Sequence, residues 1–261
     1  MSSTREQFLA TNGAAIAAPG DLVEFTGELA RYAHLLPTDR ALRVLDVGCG
    51  SGPWSLRWVE RGAHVTGLDF DLDLLRIALR RPGLEGGRFR PVLADARSIP
   101  MAAESFDVIT LNSILEHVPD WGSVVSEAAR ILAPGGIVVI HTANRWHPLQ
   151  GEINHFPFYP WLPEAVKRRV LAWIMRHRPD LVNYTNYPAT NWFGYPQMKQ
   201  ALERCGLIPY DRLDLPASSN RGAKALALRF LSHKGRARRA AYYAAVKTVS
   251  VYAQKPRAAS I

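Results

Sequence analysis

Three glycines directly follow an apolar, strand-like segment, and one carboxylate lies near the end of that segment. The segment RVLDV, residues 43–47, runs into Gly48, Gly50 and Gly52. Only glycine combines positive φ angles with a close approach of a ligand to the backbone, so this spacing predicts a ligand-binding turn between a strand and a helix. Asp46 places a carboxylate inside the turn, where a phosphate group would gain nothing from it. A ligand that carries positive charge would tolerate or gain from this anion.

Two further acids end the next two strand-like segments. Asp69 closes HVTGLD and Asp95 follows PVLA in the next segment. A carboxylate at the tip of a second strand can accept hydrogen bonds from both hydroxyls of a ribose, and one at the tip of a third strand could accept from an adenine amine. Proteins that bind NAD, FAD or S-adenosylmethionine all use a glycine turn. The Gly-x-Gly-x-Gly spacing and Asp46 disfavour a pyrophosphate, and Asp69 alone fits NAD as well as S-adenosylmethionine.

An alternation of strand-like and helix-like segments must position these acids. Short apolar or β-branched runs occur at residues 43–47, 64–68, 89–93, 106–111 and 136–141. Helix-like segments lie between them at residues 53–61, 71–80 and 121–132. This alternation predicts βα units and a parallel sheet covered on both faces. Because the carboxyl ends of parallel strands meet at one edge, we expect the three acids to line one crevice.

Four segments resemble the class I S-adenosylmethionine-dependent methyltransferases: VLDVGCGSG, VTGLDFD, LADARSIPMAAESFDVITLNSILEHVPD and ARILAPGGIVVIHTANR. The similarity is closest to the methyltransferase type 11-like group, which contains quinone-biosynthesis and many natural-product enzymes, and it covers about residues 40–145. It implies an α/β, Rossmann-like sheet of seven strands, mostly parallel, with the last strand antiparallel. Residues 246–254 match that last strand. The implied cofactor is S-adenosylmethionine, and no metal is implied.

The resemblance also implies which residues contact the cofactor. The backbone from Gly48 to Gly52 would hold its methionine part, Asp69 its ribose, and Asn112 would pass beside the methyl group. Phe70 would flank the adenine, which Asp95 would help to recognise. The full set is Asp46, Gly48, Cys49, Gly50, Gly52, Asp69, Phe70, Asp95, Ala96 and Asn112.

Several of these residues also have a purely structural interpretation. Asp46 could brace the glycine turn, and Asp69 and Asp95 could be solvated strand ends. Cys49 is interpreted as a small filler of the turn and not as a nucleophile.

Three histidines are candidates for a catalytic base: His117, His147 and His155. His117 stands in LEHVPD, a segment shared with the resembling group, whereas the other two lie in an aromatic-rich stretch. Methyl transfer is an in-line displacement that mainly needs alignment of the reactants and exclusion of water. A histidine base is therefore one hypothesis, and simple desolvation is the other.

The α/β alternation stops after His141. Residues 142–195 hold eleven Trp, Tyr and Phe side chains in about a fifth of the chain. This composition predicts an inserted lid after the fifth strand, with one helix around residues 163–177. We expect about half of these aromatic side chains to line an acceptor pocket. The alternation resumes with a helix over residues 195–205 and a strand over 207–215.

The chain is predicted to be one methyltransferase domain over residues 1–261. Its parts are an N-terminal helical extension (1–40), the cofactor-binding core (41–141), the aromatic insertion or lid (142–195) and the C-terminal part of the sheet (196–261). In the extension, apolar residues recur at steps of three and four from Asp21 and predict a helix that Pro37 ends.

The overall charge and the two cysteines bear on the binding partners and the cellular location of the protein. The formal net charge is +9 and the isoelectric point about 9.8. Such a charge is compatible with nucleic acid, an anionic membrane surface or an acidic ligand. Cys49 and Cys205 do not predict a disulfide framework or a zinc site. The chain shows no signal-peptide pattern and no apolar run of membrane-spanning length. We expect a cytoplasmic protein, with peripheral contact to a membrane left open.

The sequence of the segment after the fourth strand indicates which class of acceptor is methylated. Base-amino methyltransferases of DNA and RNA carry an Asn/Asp-Pro-Pro-aromatic loop there, whereas this chain has NSIL from Asn112. Nucleic acid is therefore disfavoured, and a small-molecule acceptor is predicted, with O-methylation slightly preferred. Two alternatives remain: a membrane-associated lipid, quinone or glycan as the acceptor, and a protein that binds S-adenosylmethionine without catalysis. The oligomeric state is left open.

Overall fold

The computed structural model of the chain describes residues 9, 19–149, 152–153, 156–182, 187–215 and 236–257. These residues form a sheet of seven strands, which are β1 (Arg43–Val47), β2 (His64–Asp69), β3 (Phe89–Leu93), β4 (Phe106–Asn112), β5 (Leu132–Ala143), β6 (Ile208–Asp211) and β7 (Thr248–Gln254). Their spatial order is β3-β2-β1-β4-β5-β7-β6. Strands β1 to β5 pair in parallel, and β7 runs antiparallel to both β5 and β6. This topology confirms the predicted fold class.

Helices follow most of the parallel strands. They are α1 (Pro19–Tyr32), α2 (Pro53–Val59), α3 (Leu72–Leu79), α4 (Trp121–Ile131), α5 (Glu164–His177), α6 (Tyr195–Arg204) and α7 (Arg236–Ala245). Short 3₁₀ turns lie at Ala33–Leu35, Leu115–His117, Tyr159–Trp161 and Pro179–Leu181. The starts of α3 and α4 are capped by Asp71 and Asp120, whose carboxylates accept backbone N–H groups of the first turn. Among the described helices, none combines the length and the apolar character that crossing a bilayer requires.

Both faces of the sheet are buried, which explains why the central strands read as continuous apolar runs. Ile109 and Leu111 of β4 belong to a core shared with α4 and α6. Val108 points to the opposite face and belongs to a second core, which includes Phe25 of α1 and Trp58 of α2. The N-terminal helix is therefore part of the sheet's covering layer.

The strand predicted over residues 207–215 is shorter in the structure, where β6 ends at Asp211. The Asp211 carboxylate accepts the backbone N–H groups of Leu213 and Asp214, both at 2.8 Å. A side chain that bonds the backbone two and three residues ahead favours a turn over continued strand pairing. The apolar residues Leu213 and Leu215 are buried as parts of that turn and not as parts of a strand.

The described residues of the aromatic insertion form a small core of their own beyond the end of β5. That core contains Ala143, Ile153, Tyr159, Ile174, Val182, Ala189 and Trp192. The two ends of the insertion lie side by side, because Phe193 N–H donates to Ala143 and Arg145 N–H donates to Phe193, both at 2.9 Å. The chain therefore leaves the sheet after β5 and returns to nearly the same place before α6.

Candidate functional site

The glycine turn between β1 and α2 adopts the predicted backbone conformation. Gly48, Gly50 and Gly52 all have positive φ, at 69°, 54° and 78°. The N–H groups of Gly48 and Cys49 donate to the carbonyl of Leu68 at 2.7 and 3.1 Å, which ties the turn to β2. A Cβ atom on Gly50 would meet only one side-chain atom, at 4.0 Å, so the backbone there borders open space.

Gly52 has a different role from the other two glycines. A Cβ atom on Gly52 would lie 2.7 Å from Leu84 and 3.3 Å from Ala78. Gly52 thus faces the protein interior, where it lets the start of α2 pack closely against α3. It is the one predicted cofactor residue that does not line the neighbouring cleft.

A cleft of about 350 Å³ lies over the carboxyl ends of β1, β2, β3 and β4. Nine of the ten predicted cofactor residues line it: Asp46, Gly48, Cys49, Gly50, Asp69, Phe70, Asp95, Ala96 and Asn112. His117 and Tyr187 line it as well. The structure therefore brings together, in one crevice, residues that the sequence places in four separate segments.

Asp69 is buried at the end of β2 and is held by two backbone groups. Its carboxylate accepts the N–H of Gly50 and the N–H of Asp71, each at 2.8 Å and each on a different oxygen. Burial raises the pKa of this carboxyl above its usual range. Each oxygen keeps capacity for another hydrogen bond, so two neighbouring hydroxyls of a ribose could be bound together.

Asp46 braces the turn and also lines the cleft. It is only 2% exposed, and it accepts hydrogen bonds from Ser55 of α2 at 2.7 Å and Thr110 of β4 at 2.8 Å. Burial raises the pKa of Asp46 to about 6. The group is therefore mostly ionised at neutral pH, and it places an anion under the cleft.

Asp95 is more solvated than the other two acids. Its side chain is 48% exposed and forms an ion pair with Arg97 at 2.6 Å. The Arg97 guanidinium, together with the Arg97 N–H, lowers the pKa of Asp95. An adenine amine would have to share this carboxylate with Arg97, whereas the adjacent Ala96 is buried against the core.

Asn112 ends β4 with an amide that lacks hydrogen-bond partners. Among the described residues, neither Nδ2 nor Oδ1 of this buried amide is bonded. A buried amide without partners is costly, so a ligand that both donates and accepts would be favoured beside it. The ammonium and carboxylate of a methionine tail meet that requirement. The open backbone at Gly50, the Asp46 anion, Asp69 and the Asn112 amide together fit S-adenosylmethionine.

The three candidate histidines have separate positions. His117 lines the cleft, and its Nδ1 lies 2.7 Å from the carbonyl of Tyr187. His147 does not line the cleft, and its Nδ1 accepts the N–H of Leu149 at 3.0 Å. His155 lies outside the described residues. Burial lowers the pKa of His117, which favours the neutral ring.

Two acids that lie near His117, Glu116 and Glu152, are not predicted from the sequence as site residues. Glu116 is 1% exposed and accepts a hydrogen bond from Thr142 at 2.7 Å. Burial, assisted by the nearby charge of Glu152, raises the pKa of Glu116 to about 7. Glu152, from the insertion, lies 3.9 Å from Nε2 of His117. Glu116 sits in the motif beside His117, but only the fold brings Thr142 and Glu152 to it.

Tyr187 is the described aromatic residue of the insertion that lines this cleft. Others are buried in cores, such as Tyr159 and Phe193, or exposed to solvent, such as Trp161 and Trp173. The expectation that about half of these aromatic side chains line a pocket is wrong for this cleft. The insertion uses most of its aromatic residues for its own packing and for its surface.

Comparison with known proteins locates the similarity in the same core. Residues 45–140 match the family described as "Methyltransferase domain". The chain is 45% identical over 109 residues to the ubiquinone biosynthesis O-methyltransferase of Hahella chejuensis, and 46% identical over 109 residues to that of Bordetella pertussis. Each match covers 40% of this chain, and 44% and 43% of the respective relative. The matches thus span less than half the length of these relatives.

Solved structures resemble the chain over a greater length. An S-adenosylmethionine-dependent methyltransferase from Mesorhizobium loti has a TM-score of 0.58 and 21% identity, and covers 88% of this chain and 98% of its own. A protein described as a sarcosine dimethylglycine methyltransferase from Galdieria sulphuraria has a TM-score of 0.56 and 17% identity, and covers 90% of this chain and 85% of its own. At such identities the similarity establishes a shared fold.

Proposed function

We propose that this chain, whose residues 45–140 match the methyltransferase domain family, is a class I S-adenosylmethionine-dependent methyltransferase that methylates a hydroxyl group of a small aromatic acceptor of the quinone-precursor type. The observation that carries this proposal is the cleft itself. There the open glycine turn, Asp69 and the Asn112 amide, which has no hydrogen-bond partner among the described residues, meet His117. The relatives described as ubiquinone biosynthesis O-methyltransferases support oxygen as the acceptor atom.

The cofactor supplies a methyl group carried on a positively charged sulfur. Under this proposal, the two carboxylate oxygens of Asp69 bind the ribose. The side-chain amide of Asn112 forms hydrogen bonds with the methionine part of the cofactor. Asp46 provides negative charge under the cationic end of the ligand. These contacts position the methyl carbon and cost little reorganisation, because hydrogen bonds to the backbone, Ser55 and Thr110 already hold the carboxylates.

His117 is the group that we assign as the base for the acceptor hydroxyl. The Tyr187 carbonyl can only accept a hydrogen bond, so Nδ1 of His117 carries the proton in this pair. The proton-accepting nitrogen of the neutral ring is then Nε2. Its neighbour Glu152, at 3.9 Å, would stabilise the imidazolium that forms when the hydroxyl proton is taken.

The chemistry of the acceptor determines whether the enzyme binds it at a membrane or from solution. Acceptors of the quinone-precursor class that carry apolar tails partition into bilayers, and a cytoplasmic enzyme would reach them by peripheral contact with a membrane. Acceptors without such tails would diffuse to the cleft from solution. The proposed chemistry at His117 is the same in both cases.

The direct test is transfer of a labelled methyl group by the full chain. The protein is incubated with methyl-labelled S-adenosylmethionine and a set of catechol-like and hydroquinone-like phenols, and then with cell extract, and products are identified by mass spectrometry. We expect label on a phenolic oxygen. If calorimetry shows cofactor binding but no label leaves the cofactor, the chain is a binding protein without catalysis. Label on nitrogen or carbon would contradict the assignment of the acceptor atom.

A further inference from the structure

The surface of the insertion exposes an unusual number of large apolar side chains. Trp146, Leu149, Phe158 and Trp161 are each at least 51% exposed, with Leu149 reaching 58%. We call these four residues the aromatic cluster. Singly exposed apolar residues are common on protein surfaces, whereas a contiguous exposed group marks a site of interaction.

The aromatic cluster is held together by specific contacts. The rings of Phe158 and Trp161 have centroids 5.1 Å apart. Phe158 N–H donates to the carbonyl of Pro148 at 2.7 Å, which places residues 148–149 beside Phe158. The indole N–H of Trp161 donates to the carbonyl of Arg145 at 2.8 Å, next to Trp146. The exposed rings therefore project from a fixed backbone.

Helix α5 begins shortly after Trp161 and also exposes large side chains. Its inner side buries Ile174 and most of Lys167. Its outer side carries Val166, Arg169, Trp173 and Arg176, which follow each other at steps of three, four and three residues. That spacing places the four side chains on one stripe of the helix. Trp173 is 57% exposed.

Helix α5 carries more basic than acidic side chains. Glu164, the acid of α5, forms an ion pair with Lys167. Within the described part of the chain, no carboxylate lies at ion-pair distance from Arg168, Arg169 or Arg176. The exposed ring of Trp173 is thus flanked along the outer stripe by the guanidinium groups of Arg169 and Arg176, whose charge no carboxylate of the described residues neutralises.

We propose that the aromatic cluster and the outer stripe of α5 form one surface that binds the headgroup region of an anionic lipid bilayer. Tryptophan and phenylalanine rings favour the membrane–water interface, and arginines beside them bind lipid phosphates. Exposed Leu149 and Val166 add apolar area that contributes little to binding a nucleic-acid backbone but stabilises contact with acyl chains. Each basic side chain near an anionic membrane contributes favourably, and this contribution is screened by salt.

The test uses the full chain and vesicles of defined composition. Co-sedimentation is measured with vesicles of phosphatidylcholine containing about one-third phosphatidylglycerol, and with vesicles of phosphatidylcholine alone. We expect binding to the anionic vesicles that weakens at least tenfold between low and high salt. Reversal of two charges in Arg169→Glu/Arg176→Glu should weaken it at least tenfold, and Leu149→Ser/Trp173→Ser should weaken it severalfold.

Matched controls lie on other faces of the molecule. Arg80→Glu/Arg90→Glu changes the net charge equally at exposed sites near the β3 edge, and Leu79→Ser/Ile208→Ser removes apolar side chains that are also about half exposed. Thermal melting checks that each variant is folded. The proposal is overturned if wild-type protein ignores anionic vesicles or if the arginine variant binds them as well as its control. It is also overturned if the surface instead drives self-association or binds a single-stranded RNA more tightly than the vesicles.

Discussion

Tyr187 and Phe70 meet at right angles, with ring centroids 4.6 Å apart and an angle of 89° between the rings. Phe70 follows β2, whereas Tyr187 belongs to the returning segment of the insertion. The Tyr187 carbonyl is bonded to His117, and Thr190 and Asn191, three and four residues further on, donate backbone N–H groups to the carbonyl of Glu116. The insertion thus closes the cleft on the side where the adenine is expected.

Removing this ring contact should open the cleft. In Tyr187→Ala the aromatic pair is lost, and since such pairs are worth about 0.5–1.5 kcal/mol, we expect cofactor affinity to fall roughly two- to tenfold. The loss should appear mainly as faster dissociation, measured by stopped-flow fluorescence with S-adenosylhomocysteine. Phe158→Ala is the control, because Phe158 is a comparably exposed aromatic residue of the insertion that does not line the cleft. Equal dissociation rates for both variants would exclude a closing role for Tyr187.

Asp69 is expected to dominate recognition of the ribose. Asp69→Ala should weaken cofactor binding at least tenfold, because a charged acceptor for two hydroxyls is worth about 1.5–3 kcal/mol or more. Isothermal titration calorimetry measures the change. Asp69→Asn, which keeps one acceptor for the Gly50 N–H, separates lost ribose binding from a disturbed turn. Asp73→Ala, in the first turn of α3 and outside the cleft lining, should bind normally. Unchanged affinity in Asp69→Ala would contradict the cofactor site.

The ionisation of Asp46 should distinguish a cationic from a neutral ligand. Its folded-state pKa of about 6 means that the group loses its charge as the pH falls from 7.5 to 5. S-adenosylmethionine carries a sulfonium charge that S-adenosylhomocysteine lacks, so the preference for the former should grow as the pH rises through 6. Calorimetric titrations of both ligands across this range give the ratio. In Asp46→Asn the ratio should not vary with pH. A wild-type ratio that is flat would place the sulfonium away from Asp46.

The assignment of His117 as the base predicts a defect in turnover without a defect in cofactor binding. His117→Asn should lower kcat about a hundredfold, within the usual range for a lost general base, and leave cofactor affinity within twofold. Burial lowers the pKa of His117, so the wild-type rate should fall only when the pH drops below its ordinary value near 6.5. His147→Asn is the matched substitution outside the cleft and should keep full turnover. Retained turnover in both variants would favour desolvation alone.

Glu116 should make the folded state less stable as the pH rises. Its folded-state pKa of about 7 lies above the ordinary value of 4.5, so its stabilising contribution is complete below pH 4.5 and lost as the pH rises through 7. The loss is on the order of 3 kcal/mol in the free energy of unfolding. Glu116→Gln stays neutral and should show a smaller decline in urea titrations between pH 5 and 8. Glu85→Gln, at an exposed site, should decline like the wild type.

The cofactor side of the site is predictable because its determinants are local. Gly50 and Asp69 each sit at a strand end that the apolar pattern locates, and the parallel sheet then brings these ends together. Tyr187 gives no such signal, because its approach to Phe70 depends on how the insertion folds back. Gly52 shows that a residue of the glycine motif need not line the cofactor cleft. The motif requires it, but the collision that an added Cβ atom would make with Leu84 and Ala78 shows that it serves helix packing.

The adjacency of the two ends of the insertion has a further meaning. Asn144 and Phe193 form a bridge, and Ala143 and Arg145 bond the same residue, Phe193, from either side. The segment between them leaves the sheet and returns to it at one place, so we expect its exchange to leave the spacing of β5 and α6 unchanged. The insertion can therefore be exchanged as a single cassette. We expect chimeras that exchange this cassette between methyltransferases to keep Asp46, Asp69 and Asn112 in the cleft and to alter its lining at the position of Tyr187.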